Sequence, residues 1–189
     1  LTSLVSASDA LMLGGLSQSS LSAVSLAGQI AFVHTLFLAA FMIGASTMAA
    51  QYWGKGDADM VERVLGLSTR YAVLVSLAFS LATLLASEFL MRLFTPDEAL
   101  IREGAVYLRT VSPSYLMAGF SQLYLCIMKN TGRVSRSSLY GTVPVVLNLL
   151  LNALFIYGLL GFPRMEIAGA ALATVISRGI EVLLVLLEN

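Results

Sequence analysis

The chain has 189 residues, 58% of them hydrophobic and 12% charged, with a mean hydropathy of +0.85, whereas soluble domains average roughly 25% charged residues. This is the composition of a membrane protein. Eleven basic and eleven acidic residues cancel, and Cys126 is the only cysteine, which argues against a nucleic-acid partner and excludes a disulfide within these residues.

Residues 1–16 are apolar but too short to cross a bilayer, and they do not follow the pattern of a signal peptide. They are read as the last part of a first helix whose beginning is absent. Gly14 to Ser20 (GGLSQSS) is small and polar, as a turn between helices should be. A second helix over about 21–50 is longer than a vertical crossing needs. It leaves the membrane at AQYWGKGD, where Tyr52 and Trp53 suit the headgroup layer, Gly54 and Gly56 end the helix, and Lys55, Asp57 and Asp59 stand in water.

A third helix is expected over about 61–90, and residues 91–104 form a polar connection in which Thr95 caps a helix start and Pro96 occupies its first turn. Further spans follow over about 105–128, 139–160 and 167–187, joined by the basic loop KNTGRVSRSS and the short turn GFPRME. The expected fold is all-α: one polytopic transmembrane bundle over 1–189, with five full spans and the end of a first. Lys55, Arg63, Arg70, Lys129, Arg133 and Arg136 fall on one side, against Arg92, Arg102, Arg164 and Arg109 on the other. The richer side is therefore expected to be cytoplasmic.

Polar residues inside apolar runs carry the functional information. Asp9 should face the bundle interior or water, or else lie near a helix end. Pro144, Asn148 and Asn152 recur every four residues and so share one helix face. Pro144 cannot donate to the carbonyl of Tyr140 and marks a bend, as does Pro113 in SPSYL, whose neighbouring serines can satisfy the freed backbone. The two asparagines either ligate an ion or bond neighbouring helices together. The last span adds Thr174, then Ser177 or Arg178, and Glu181 on one face; Arg178 and Glu181 are spaced to neutralise each other. Gly169 and Ala173 form a small pair for close helix approach. Gln18, Ser22, Ser25 and Gln29 make a polar stripe that suits a cavity wall or a polar interface. His34 lies off that stripe and reads as a hydrogen-bonded core histidine. No metal-spaced His/Glu pair, nucleotide loop or nucleophile with a partnering histidine is found, so ion and solute handling outweighs chemistry.

The segments DALMLGGLSQSSLSAVSLAGQI, AQYWGKGD, YLRTVSPSYL, MKNTGR, the Asn148/Asn152 helix with FIYGLLGFP, and GAALATVISRGIE, in this order, resemble the N-terminal half of multidrug and toxic compound extrusion (MATE) transporters. The resemblance covers nearly the whole chain. It implies the N-terminal six-helix lobe of a twelve-helix transporter of the plasma (inner) membrane, expelling small organic, often cationic compounds in exchange for Na⁺ or H⁺. It further implies that Asp9, Asn148, Asn152 and Thr174 form a cation site, and that no other cofactor is required. This chain has Asn152 where some members carry an aspartate, one carboxylate fewer. Its implied partners are the bilayer, the exported compound and a C-terminal lobe. The rival readings are a lipid-linked oligosaccharide flippase of the same superfamily, disfavoured by scattered rather than clustered arginines, and a non-transporting membrane scaffold or membrane enzyme.

Overall fold

The computed structural model describes Met12, residues 17–158 and residues 163–188. The expected first helix, including Asp9, lies outside the described residues apart from Met12. The described helices are α1 (Gln18–Gly54), α2 (Ala58–Leu85), α3 (Ser87–Arg92), α4 (Glu98–Asn130), α5 (Val134–Tyr157) and α6 (Glu166–Glu188), and among the described residues there is no strand.

Local chemistry explains where each begins and ends. The polar turn stops at Ser17, not Ser20: the Ser17 hydroxyl accepts from Ser20 N at 3.0 Å and caps α1. At AQYWGKGD, Lys55 and Asp57 amides both donate to the Tyr52 carbonyl, Gly56 supplies φ +77°, and the Asp57 carboxylate accepts from Met60 N to start α2.

Two boundaries differ from expectation. The third helix is not continuous to residue 90 but breaks at Ala86 (φ −119°, ψ 25°), and α3 is held against α4 by Arg109, whose Nε donates to Ser87 Oγ and Nη2 to Glu88 Oε1, both at 2.8 Å. The helix start expected near Thr95 is found at Glu98, and it runs unbroken into the span expected over about 105–128, because Ile101, Gly104, Ala105 and Leu108 already form a buried face there. Its cap is Asp97, which accepts from Ala99 N at 2.8 Å; Thr95 instead accepts from Asp97 N, and Pro96 stands before the cap.

Helices α1, α2, α5 and α6 are each long and apolar enough to cross a membrane. The chain is thus a multi-pass membrane protein. Helix α4 is long enough but more polar, and most of its surface is covered by protein: α1, α2, α3, α5 and α6 all pack against it, leaving one exposed stripe through Val106 and Pro113. Ser112, Ser114 and Ser121 are consequently buried on its faces.

Apolar side chains form one cluster near the Met12 end, including Val24, Ile30, Leu108, Tyr115 and Ile156, and another toward the opposite end, including Leu38, Ala49, Val64, Leu123 and Ile127. The chain ends of α4, α5 and α6 meet at that second end. There Glu188 accepts from Arg136 and from the Tyr140 hydroxyl, each at 2.7 Å, and Asn130 bonds Ser46 of α1.

Helices α5 and α6 approach closely at Gly169, where a Cβ would lie 2.9 Å from both the carbonyl carbon and oxygen of Phe155. Ala173, one turn on, continues this small-residue face and is fully buried, as are Ala170 and Ala171 on the neighbouring faces. In the full-length protein, Gly169→Val is expected to lower stability by about 1–3 kcal/mol through overpacking, read as a fall in melting temperature in detergent. Gly66→Ala, which meets nothing within 4 Å, should leave the melting temperature unchanged or raised.

Candidate ion site between α5 and α6

Pro144, Asn148 and Asn152 share the buried face of α5, as their spacing requires. Asn148 and Asn152 are 1% and 0% exposed. A buried amide costs free energy unless its donors find acceptors. Asn152 Nδ2 donates to Asn148 Oδ1 at 3.1 Å, Asn148 Nδ2 donates to Thr174 Oγ1 at 3.3 Å, and Thr174 Oγ1 donates to the Ala170 carbonyl at 3.1 Å. One directed relay therefore joins α5 to α6. The close packing at Gly169 brings the two faces near enough for it.

The relay also fixes what these groups offer an ion. Thr174 has a single proton and gives it to its own helix, so its oxygen faces its neighbours as an acceptor. Asn148 Oδ1 accepts one bond and retains further acceptor capacity. All three side chains are neutral oxygen ligands of the kind hard cations prefer.

A cavity of about 350 Å³ opens beside the relay, walled by α4, α5 and α6, with Met42 of α1 at its edge. Pro144, Asn148 and Thr174 line it; Asn152 lies behind Asn148. Both prolines sit inside uninterrupted helices. Pro113 is on the exposed side of α4. The Arg109 carbonyl that Pro113 leaves without a helical donor is taken by the Ser112 hydroxyl at 2.9 Å.

The stripe on α1 is placed elsewhere. Ser22 is half-buried, Ser25 and Gln29 are exposed, and none of the three lines this cavity. His34 is 3% exposed, with Nε2 2.8 Å from Ser76 Oγ and the rings of Phe79 and Tyr115 centred 5.1 and 5.0 Å away. Its partner is 42 positions distant, which is why no sequence neighbour revealed it. Three cavity-lining polar residues escaped the sequence reading: Gln122, Lys129 and Ser137. Gln122 could have been found as the asparagines were, as an amide in an apolar run. Ser137 could not, since it was read as loop.

The MatE family model matches residues 1–154. The chain is 26% identical over 171 residues to the uncharacterized transporter YisQ of Bacillus subtilis, covering 90% of this chain and 37% of that protein. It is 28% identical over 181 residues to the multidrug resistance protein NorM of Vibrio cholerae, covering 94% and 39%. Among solved structures, a MATE protein in its bent conformation superposes with a TM-score of 0.87 at 24% identity, covering 97% of this chain and 40% of that one. The chain thus spans about two-fifths of the length of the proteins it matches.

In the full-length protein, Ser76→Ala should leave the ring nitrogen of His34 buried without its acceptor or donor and destabilise by about 1–3 kcal/mol. Thermal unfolding in detergent reads this directly, and an unchanged midpoint would remove the His34–Ser76 bond from the stabilising contacts.

Proposed function

Because the chain belongs to the MatE family, we propose that it forms the N-terminal lobe of a cation-coupled multidrug antiporter of the plasma (inner) membrane, and that Asn148, Asn152 and Thr174 hold the coupling ion together with Asp9. The observation that carries this reading is the buried relay Asn152 to Asn148 to Thr174 between two membrane helices. A structural bond alone needs only one amide; two amides and a hydroxyl on facing helices, beside a cavity, supply a set of oxygens.

The oxygens favour Na⁺ over H⁺. Amide and hydroxyl groups do not take up a proton near neutral pH, whereas they replace the water shell of a hard cation. Asp9 would add the negative charge that a bound monovalent cation requires. Bound Na⁺ would tighten the α5–α6 junction, and it would drive a change of lobe shape only through a difference in affinity between two conformations. The exported compound would be a small organic molecule, as the multidrug resistance name of the Vibrio cholerae relative implies, and a C-terminal lobe would complete its cavity.

The test is efflux of a fluorescent organic cation from proteoliposomes of the full-length protein under imposed Na⁺ or H⁺ gradients. Na⁺-driven efflux is expected. Asn148→Ala should raise the half-saturating Na⁺ concentration at least tenfold, a loss of about 1.4 kcal/mol in binding, and Asp9→Asn should abolish coupling with expression intact. Efflux driven by a proton gradient alone would replace Na⁺ with H⁺, and no transport under either gradient would overturn the antiporter reading.

A further inference from the structure

The cavity beside Asn148 continues to a charged pair that the reading above leaves without a task. Arg178 Nη1 donates to Glu181 Oε2 at 2.6 Å, and the two side chains are only 18% and 4% exposed. Both line the cavity. They stand ten and seven residues before Glu188, or about 15 and 10 Å along α6 from its end. Ionic groups at such depth cost free energy that apolar residues would not, and in membrane helices they mark ion routes more often than structural pairs.

The hydroxyls of the same cavity are oriented alike. Ser137 donates to the Leu125 carbonyl at 2.7 Å, Ser177 to the Ala173 carbonyl at 2.6 Å and Thr174 to the Ala170 carbonyl at 3.1 Å. Each hydroxyl has one proton. All three are spent on main-chain oxygens, so these side chains offer the cavity only lone pairs. These three hydroxyl oxygens and the Glu181 carboxylate are acceptors of the kind a hard cation needs. The other charged groups lining it are Arg178, already matched by Glu181, and Lys129, which is exposed at the α4 rim.

Resting on the proposed ion site at Asn148, we propose a second site: a transit position for a partly dehydrated monovalent cation, with Glu181 as its anionic ligand and the oxygen of Ser177, one helix turn away, as a neutral one. Glu181, Ser177 and Thr174 lie on one face of α6 at successive turns, so an ion at Glu181 is about 10 Å of helix rise from Thr174, which belongs to the Asn148 site. Arg178 keeps the position weak. A fixed guanidinium beside the carboxylate opposes a bound cation, which lets the ion move on, as conduction between adjacent sites requires.

The experiment measures ²²Na⁺ binding and Na⁺-driven efflux in the full-length protein. The double variant Arg178→Gln/Glu181→Gln keeps an uncharged hydrogen-bonding pair, so a merely structural pair predicts wild-type behaviour. The transit site predicts at least tenfold weaker Na⁺ dependence of efflux. Ser177→Ala, which alters no charge, should weaken it a few-fold and decides the matter if the double variant fails to fold. Wild-type Na⁺ dependence in either folded variant overturns the proposal. If the double variant is normal while Asn148→Ala has lost coupling, the inner site alone fails. If Asn148→Ala is normal while the double variant has lost coupling, the Asn148 site fails and the inner one stands.

Discussion

A polar group inside a hydrocarbon layer has no solvent to fall back on, and this one constraint organises the whole bundle. Serines and threonines answer it within their own helix: Thr83 donates to the Phe79 carbonyl at 2.8 Å and Ser121 to the Met117 carbonyl at 3.0 Å. Ser112 answers it for another residue, covering the carbonyl that Pro113 strips of its donor. Asparagine cannot close its hydrogen bonds so locally. Asn148 and Asn152 therefore reach each other and Thr174, and the helices they sit on are tied at that level.

The same constraint ties the helices and leaves oxygens turned outward. A hydroxyl that donates inward turns its lone pairs outward, and an amide that donates its N–H group sideways keeps carbonyl capacity in reserve. Close helix packing is the precondition. Without the bare backbone at Gly169, α6 would stand further from Phe155, and the 3.3 Å bond from Asn148 to Thr174 would open.

The architecture was legible because charge-free runs of membrane length are hard to reconcile with anything else. The Asn148/Asn152 face was legible because its spacing fits a helix turn and its setting is apolar. Helix ends were less so. The break at Ala86 carries no glycine or proline to announce it; it depends on Arg109, twenty-two residues away from Ser87. Thr95 and Asp97 are both good caps, and only the buried face beginning at Ile101 favours the later one. The spacing of Arg178 and Glu181 predicted their bond, and the structure adds that the pair shares a cavity with Asn148. Thr174 stands out in the sequence as a polar residue on the last span, but only the resemblance joins it to the asparagines, since nothing local links it to a residue 26 positions earlier.

Helix α4 packs against five other helices yet is less apolar than α1, α2, α5 and α6. Lipid alone would hold such a segment poorly. Its place in the bilayer is therefore a property of the assembled bundle and not of α4 alone.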